Sequence, residues 1–201
     1  MSNNTKRVPQ GLLVVLSAPS GCGKTSVVER LLKRHPAWVR SISVTTRKPR
    51  VDEKDKEDYF FLSKQEFEQR IAEGAMLEHA TIYGNLYGTP KDFVVQQVAH
   101  GKVVILTIDV QGTQQVMKSW GGEGPLLSIF ILPPSIKALR ERLAGRNTET
   151  SAEIEKRIGI AQDEIKAATL YDKTVINQNL DQAILEVEEI VTNFEKERRK
   201  E

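Results

Sequence analysis

The first sign of chemistry in this sequence is a lysine and a threonine that follow two closely spaced glycines. An apolar run at residues 12–16 leads through Ser17 into Ala18-Pro19-Ser20-Gly21-Cys22-Gly23-Lys24-Thr25. Glycines lack a Cβ, so backbone N–H groups can approach an anion closely, and a following helix adds the positive end of its dipole. Lys24 could reach the terminal phosphates of a nucleotide, and the Thr25 hydroxyl could help to hold Mg²⁺. The spacing therefore predicts a phosphate-binding loop.

Ala18 is a departure from the usual pattern of such loops, G-x-x-x-x-G-K-[ST]. Its position normally holds glycine, and alanine costs little there if its φ lies in an allowed region. The alternative is a glycine-rich turn between a strand and a helix that binds nothing. The ordered series of apolar run, two glycines and Gly-Lys-Thr argues against that alternative. The loop by itself does not identify whose phosphate is bound.

Two arginines form a second candidate phosphate site. Arg47 and Arg50 flank Pro49, which stiffens the backbone and places both guanidinium groups in one loop. Each planar fork can donate two parallel hydrogen bonds to a phosphate. The competing interpretation is a solvated charged loop, and we apply it to the neighbouring acids and lysines at residues 52–57.

Length and charge limit the classes of protein to consider. The 201 residues fit one domain with a sizeable core, and the net charge of +2 is too small to favour nucleic acid or an anionic membrane as a partner. Asp109 ends the best apolar run, residues 103–108, which is too short to span a bilayer. No signal-peptide pattern follows the polar residues 1–10. No pattern indicates an oligomeric state.

Cys22 is the single cysteine, so an intrachain disulfide is impossible and a cytoplasmic location is expected. Its thiol could be reactive, because helix N-termini lower thiol pKa values. A small residue that fills an unconstrained loop position is the interpretation we prefer. The three histidines are too scattered along the chain to form a metal-ligand pattern.

Apolar periodicity predicts alternating strands and helices. Helices are expected at residues 26–34, 64–73, 92–100, 111–119, 136–143, 152–170 and 180–194, and strands at residues 12–16, 38–44, 59–62, 76–82, 103–108, 126–132 and 174–176. Ser63 and Glu66 form the pattern of a capping box before the second helix. This alternation predicts an α/β fold with a mainly parallel sheet covered on both faces and ligands at the carboxyl ends of its strands. Residues 39–90 hold short extended pieces and one clear helix, which indicates an inserted lobe.

Taken in order, the motifs of the chain resemble those of guanylate kinases, enzymes of the P-loop class that transfer the γ-phosphoryl group of ATP to GMP. The resemblance covers about residues 11–194 and rests on segments 17–25, 45–50, 58–59, 77–78, 84–89, 108–112 and 142–146 and on Asn177. It implies a three-layer α/β/α core with an inserted GMP-binding lobe and a small lid. The implied single domain is 10–195, with a core of 10–40, 91–140 and 171–195, a lobe of 41–90 and a lid of 141–170.

The resemblance implies two sets of GMP ligands. The GMP phosphate would contact Arg47, Arg50, Tyr59 and Tyr87, and guanine would contact Ser43, Glu78, Thr89 and Asp109. A carboxylate such as Glu78 can accept from both N1–H and the N2 amino group of guanine. Adenine offers neither donor and would leave a buried charge unpaired, at a cost on the order of 2–5 kcal/mol. The competing interpretation of Glu78 is an exposed charge at a strand end.

The same resemblance implies the residues that bind ATP and stabilise the transferring phosphoryl group. ATP would contact the loop from Ala18 to Thr25 together with Arg142, Arg146 and Asn177, and the catalytic residues would be Lys24, Arg47, Arg142, Arg146 and Arg157. Mg²⁺ is the implied cofactor, held by Thr25, and Asp109 could touch guanine, a Mg²⁺-bound water or both. Relatives often carry an acid where this chain has Thr107. The arginines could instead be surface residues paired with nearby glutamates, and Asn177 could simply form a turn.

The predicted function is therefore the conversion of ATP and GMP into ADP and GDP in purine nucleotide metabolism. One alternative keeps the fold but changes the acceptor, for instance to a phosphorylated sugar. Another is a non-catalytic interaction module related to guanylate kinases. The intact Gly-Cys-Gly-Lys-Thr segment at residues 21–25 argues against the module.

Overall fold

The computed structural model of the protein describes residues 11–82, 84–145 and 150–198. In chain order the strands are β1 (Leu12–Ser17), β2 (Val39–Arg40), β3 (Val44–Thr45), β4 (Phe60–Phe61), β5 (Met76–Ile82), β6 (Asn85–Pro90), β7 (Val103–Thr107), β8 (Leu126–Leu132) and β9 (Lys173–Ile176). The helices are α1 (Lys24–Arg34), α2 (Lys64–Ala72), α3 (Lys91–Ala99), α4 (Val110–Ser119), α5 (Ile136–Ala144), α6 (Ser151–Lys166) and α7 (Leu180–Arg198).

The central sheet has five parallel strands in the order β2-β7-β1-β8-β9. Strand β1 lies in the middle and is buried along its whole length, with Leu13 paired to Val104 on one side and to Leu126 on the other. Continuous apolar runs of this kind are typical of parallel strands covered on both faces. The predicted mainly parallel sheet is therefore present.

Helices cover both faces of this sheet, as the alternation of side chains along β1 requires. Leu12, Val14 and Leu16 pack in one core cluster with residues of α1, α5, α6 and α7, whereas Leu13 and Val15 pack in another with residues of α3 and α4. The three-layer α/β/α arrangement predicted from the sequence is confirmed.

A second sheet of four strands in the order β4-β3-β6-β5 lies within the region predicted as an inserted lobe. The prediction of one continuous strand at residues 38–44 is wrong, because the chain leaves the first sheet after Arg40 and enters the second at Val44. The strand β6 was also missed, since its glycine and its terminal proline are unusual in strands. Pairing with both β3 and β5 stabilises it, and Gly88 admits Phe67, whose Cζ lies 3.1 Å from the position of an added Cβ.

Polar caps begin several helices at the predicted places. Ser63 and Glu66 form the expected capping box of α2, and Ser135 caps α5 through the N–H of Ala138. Thr150 and Glu153 form a second capping box, at the start of α6. The helix expected at residues 152–170 continues from α6 into a short 3₁₀ turn, Ala167–Leu170. In the parts of the chain described above, no helix is both long and apolar enough to cross a membrane.

Candidate functional site

The predicted phosphate-binding loop connects β1 to α1 and depends on two glycines in the left-handed region. Gly21 has φ +91° and Gly23 has φ +82°, values that side chains other than hydrogen rarely allow. A Cβ on Gly23 would lie 2.7 Å from the Nδ2 atom of Asn177. Gly23 is the N-cap residue of α1 and has no side chain that could accept a hydrogen bond from the first turn. The first N–H groups of this helix can therefore face an anion.

Asn177 and Arg142 lie directly beneath this loop. The buried Asn177 donates from Nδ2 to the Cys22 carbonyl oxygen at 2.8 Å, and Arg142 donates from Nη2 to the Asn177 carbonyl oxygen at 2.7 Å. Both residues were predicted to contact ATP, and both support the loop that would bind its phosphates. A contact between Asn177 and adenine stays a prediction. Arg146 lies outside the described residues.

Lys24 extends from the loop toward the carboxyl end of β7, where its Nζ donates to the Ile108 carbonyl oxygen at 3.1 Å. Burial lowers the pKa of this amine, and the carboxylates of Glu164 and Asp109 act in the opposite direction. The ammonium group is thus held between the phosphate loop and the residue that follows the neighbouring strand.

Cys22 points its side chain into the core and is fully buried. Burial raises the pKa of its thiol to about 12, against smaller opposing effects of Arg142 and Lys24. A protonated, inaccessible thiol is a poor nucleophile. The position therefore suits a small residue, as preferred, but the expectation of an unconstrained loop position is wrong because Cys22 packs in the core.

A buried network of hydroxyl groups, which the sequence does not predict, connects the strand before the loop to the Asp109 segment. Ser17 donates from Oγ to the Ile108 carbonyl oxygen at 2.8 Å, and its oxygen lies 2.9 Å from Oγ1 of Thr113. Thr113 donates to the Asp109 carbonyl oxygen at 2.8 Å and accepts from the Tyr171 hydroxyl at 3.0 Å. No local sequence pattern predicts these contacts, because their partners are far apart in the chain.

A cleft of about 820 Å³ opens at the carboxyl end of the central sheet. Residues 18–21 and 23–26 of the loop region line one side, and Asp109 and the α6 residues Arg157 and Glu164 line others. Arg157 donates from Nη1 to the Ser20 hydroxyl at 2.9 Å. Burial raises the pKa of Glu164, and the nearby Lys24 opposes this effect. The predicted lid arginine on α6 therefore already contacts the phosphate loop.

Glu78 is the centre of a buried polar group in the second sheet. It stands opposite Thr89 in the β5–β6 register, and Thr89 donates from Oγ1 to its Oε1 at 2.6 Å. Glu78 is only 4% exposed, and burial raises its pKa to about 7, aided by the charge of Asp109 and opposed by the Thr89 hydrogen bond. The interpretation of Glu78 as an exposed charge is wrong.

Asp109 and Gly112 complete this group from the start of α4. Asp109 caps the helix by accepting from the Gly112 N–H at 2.8 Å. A Cβ on Gly112 would lie 2.5 Å from Oε2 of Glu78, so only glycine leaves room for the carboxylate. Gly112 lies in the motif at residues 108–112, but the sequence by itself predicts no role for it.

Arg47, Tyr59 and Tyr87 form a compact cluster beside the same sheet. Arg47 donates from Nε to the Tyr87 hydroxyl at 3.1 Å, and its guanidinium carbon lies 5.4 Å from the centre of the Tyr59 ring. The two tyrosine rings meet edge to face at 6.1 Å. Tyr87 lies on β6 and pairs with Thr45 and Ala80. Three of the four predicted phosphate ligands are thus in contact.

A smaller cavity of about 210 Å³ joins this cluster to the phosphate loop. Arg50, Tyr59 and Ser43 line it together with Thr25 and Thr107, so Arg50 faces the space beside Tyr59. The cavity is also lined by Ser41, whose buried hydroxyl has no hydrogen-bond partner within the described ranges. Predicted ligands of ATP and of GMP therefore share one continuous polar region.

The oxygen donors of this region fit a Mg²⁺ ion that is held mainly by phosphates and water. Thr25 and the orphaned Ser41 hydroxyl line the smaller cavity, and Asp109 lines the larger cleft beside Thr25. Among the described residues, no group of three or more histidine, cysteine or acidic side chains is arranged to hold a metal ion by itself. Mg²⁺ commonly keeps several waters and takes one or two protein ligands together with substrate phosphates.

The interpretation of residues 52–57 as solvated is wrong for Glu53. This carboxylate forms a bidentate ion pair with Arg47, with both N···O distances at 2.9 Å, and the two side chains are 16% and 17% exposed. The alternating acidic and basic residues of the segment are typical of a solvated loop, and only folding brings Glu53 into contact with Arg47.

Comparisons with known proteins show the family of this chain. The family model described as guanylate kinase matches residues 10–194. The chain is 46% identical over 191 residues to the guanylate kinase of Wolbachia sp. subsp. Brugia malayi, covering 95% of each chain. It is 46% identical over 175 residues to the guanylate kinase of a Synechocystis species, covering 87% of this chain and 90% of that one.

Solved structures give the same result. The guanylate kinase from Anaplasma phagocytophilum superposes with a TM-score of 0.76 at 32% identity, covering 92% of this chain and 86% of that chain. The shikimate kinase from Bacteroides thetaiotaomicron superposes with a TM-score of 0.50 at 13% identity, covering 90% of this chain and 98% of that one, and shares the fold alone. From the family match and the identities above, the chain belongs to the guanylate kinase family.

Proposed function

We propose that this protein is an ATP:GMP phosphotransferase that converts ATP and GMP into ADP and GDP. The observation that carries the proposal is the buried Glu78 carboxylate near a phosphate-binding loop. Thr89 donates a hydrogen bond to this carboxylate, and the missing side chain of Gly112 leaves room for it. A buried carboxylate has a strong need for donors, and guanine presents two of them on one edge. The site therefore favours guanine over bases that lack this pair of donors.

The donor side of the site is the loop that begins α1. Its N–H groups and Lys24 would bind the β- and γ-phosphates of ATP, while Thr25 would hold Mg²⁺ and Asp109 would order water near it. Bound Mg²⁺ would supply charge neutralisation between the β- and γ-phosphates. Asn177 and Arg142 hold the loop from below through the contacts at 2.8 Å and 2.7 Å.

The acceptor side lies across the smaller cavity. Arg47, Arg50, Tyr59 and Tyr87 would surround the GMP phosphate with two guanidinium groups and two phenol donors. Ser43, Thr89 and Asp109 would join Glu78 around guanine. GMP held in this way would point its phosphate toward Thr25, which lines the same cavity as Arg50 and Tyr59.

Positioning and charge account for catalysis in this arrangement. The transition state of phosphoryl transfer spreads negative charge over its oxygens, and Lys24, Arg47 and the lid arginines Arg142, Arg146 and Arg157 would stabilise it. Residues 141–170 would act as a lid over ATP, and closure would exclude the water that otherwise hydrolyses it. Arg157, which already reaches Ser20 at 2.9 Å, supports this role.

The acceptor profile tests the proposal. In a coupled assay with ATP, GMP should be turned over far faster than AMP, UMP or a phosphorylated sugar. Glu78→Gln should raise KM for GMP at least tenfold and leave KM for ATP nearly unchanged, whereas Lys24→Ala should lower kcat for every acceptor. Faster turnover of another acceptor would overturn the choice of GMP, and an absence of ATP binding by calorimetry would favour the non-catalytic module instead.

We also infer a cytoplasmic location and a role in purine nucleotide metabolism. The single, fully buried cysteine suits a reducing compartment, where both substrates are available.

A further inference from the structure

Glu53 occupies a central position between the two arginines that were predicted to bind phosphate. Its Oε2 accepts from Nη1 of Arg47 and from the backbone N–H of Arg50, both at 2.9 Å, and its Oε1 accepts from Nη2 of Arg47 at 2.9 Å. The Glu53 N–H also donates to the Arg50 carbonyl oxygen at 3.1 Å. One carboxylate therefore links the side chain of Arg47 to the backbone turn that carries Arg50.

The hydrogen bonds of Arg47 show which donor of its guanidinium remains available. Glu53 takes the edge formed by Nη1 and Nη2, while Lys48 takes the other Nη1 hydrogen through its carbonyl oxygen at 2.8 Å. The edge formed by Nε and Nη2 meets the Tyr87 hydroxyl, which is itself a donor for phosphate. Within the described part of the chain, Arg47 thus keeps one Nη2 hydrogen without an acceptor, beside the Tyr87 hydroxyl that can itself donate to a phosphate.

Two aromatic rings lie close to the same guanidinium. Its carbon lies 5.4 Å from the Tyr59 ring centre and 6.0 Å from that of Phe61. With the rings beside it and its outer edge held by Glu53, the fork is oriented before any ligand arrives. Such pre-organisation lowers the entropic cost of binding.

We propose that Glu53 is a positioning residue for GMP, which aligns Arg47 and the Arg50 turn so that their donors converge on the nucleotide phosphate. The inference rests on the proposed function, because it takes the GMP phosphate as the group that these arginines bind. The hydrogen bonds from Arg47 also hold the pKa of Glu53 below its usual range, so this carboxylate is ionised at neutral pH.

An alternative role for Glu53 predicts the opposite change in GMP affinity. If Glu53 instead filled the phosphate position on Arg47, GMP would have to displace it, and removing the charge would tighten GMP binding. A positioning carboxylate predicts weaker GMP binding after the same change. The direction of the change in GMP affinity therefore separates the two.

Glu53→Gln keeps the shape of the side chain and removes one charged acceptor. We expect its KM and calorimetric Kd for GMP to rise by about tenfold to a hundredfold, the usual range for losing a hydrogen bond to a charged group. KM for ATP should change less than twofold. Asp52→Asn removes an adjacent, exposed carboxylate and should leave both constants unchanged, which controls for net charge.

A mutant cycle tests whether Glu53 acts through Arg47. In an Arg47→Ala background, Glu53→Gln should weaken GMP binding several-fold less than it does in the wild type, because only its contact with the Arg50 turn is then left to lose. An equal effect in both backgrounds, or tighter or unchanged GMP binding by Glu53→Gln alone, would overturn the inference. A thermal melt of each variant separates these results from unfolding, since ATP affinity and Tm would then fall together. Failure of the wild type to bind GMP would contradict the proposed function itself, with ATP binding as the control for intact protein.

Discussion

Glu78 illustrates how burial changes the chemistry of a single residue. Its carboxylic acid is nearly enclosed, accepts one short hydrogen bond from Thr89 and lies near the charge of Asp109. The neutral acid is favoured in such surroundings until a ligand supplies donors. The ligand-free site therefore holds a group that titrates near neutral pH, and this has a measurable effect on stability.

We predict that Glu78 makes the ligand-free protein less stable as pH rises. Its folded-state pKa of about 7 lies above the ordinary value of 4.5, so the folded protein binds the proton more tightly than the unfolded chain. The resulting stabilisation is fully present below pH 4.5 and is lost as pH rises through 7, amounting to about 3 kcal/mol. Glu78→Gln should lack this contribution.

Urea unfolding between pH 5 and pH 7.5 measures the effect as the difference between wild type and Glu78→Gln. Comparing the two proteins removes the contribution of other titrating groups that both share. A difference that stays constant across this range would contradict the prediction.

At the scale of elements, replacing a glycine by alanine should have opposite effects in α4 and α6. Gly112 lies in the first turn of α4, where a Cβ would come within 2.5 Å of Glu78, whereas Gly159 lies inside α6, where an added Cβ would meet nothing within 4 Å beyond its chain neighbours and the nearby backbone of its own helix. Neither glycine has a positive φ, so alanine can adopt both backbone conformations. Space alone distinguishes the two positions.

Gly159→Ala should raise the free energy of unfolding by roughly 0.5–1 kcal/mol, because alanine favours the helix interior. Gly112→Ala should instead raise KM for GMP at least tenfold while KM for ATP changes little, because the methyl group displaces the Glu78 carboxylate. Urea unfolding and steady-state kinetics on both variants check this pair. Equal GMP kinetics for Gly112→Ala and wild type would show that the carboxylate position has no bearing on binding.

At the scale of the whole molecule, the two halves of the proposed site lie on different sheets. The phosphate loop belongs to the five-stranded parallel sheet, whereas Glu78, Thr89 and Tyr87 belong to the four-stranded sheet. An open cleft of about 820 Å³ and a cavity of about 210 Å³ separate their ligand-facing residues. The division into core, lobe and lid predicted from the sequence suggests that bound substrates draw these parts together.

We predict that GMP together with a non-hydrolysable ATP analogue reduces the radius of gyration. Both ligands bridge charged groups on separate sheets, so their combined effect should exceed that of either alone. Small-angle X-ray scattering on the free, singly bound and doubly bound protein measures the change. Glu78→Gln at the same GMP concentration provides the control. Unchanged dimensions with both ligands bound would contradict closure.

The sequence by itself determined the features that depend on local pattern. The phosphate loop, the capping box at Ser63, the fully apolar strands and the alternation of strands with helices were all predictable, because each depends on neighbouring residues. The resemblance of ordered motifs added the family, which the comparisons confirm.

Only the tertiary structure decided which distant residues meet. The division of the strand predicted at 38–44 between two sheets and the pairing of β6 depend on partners elsewhere in the chain. Glu53 looked like one acid among many until folding placed it on Arg47, and Gly112 had no visible role until Glu78 lay against it. The physical reason is common to all of these cases: side-chain contacts across the fold are set by packing and register, which neighbouring residues in the sequence do not encode.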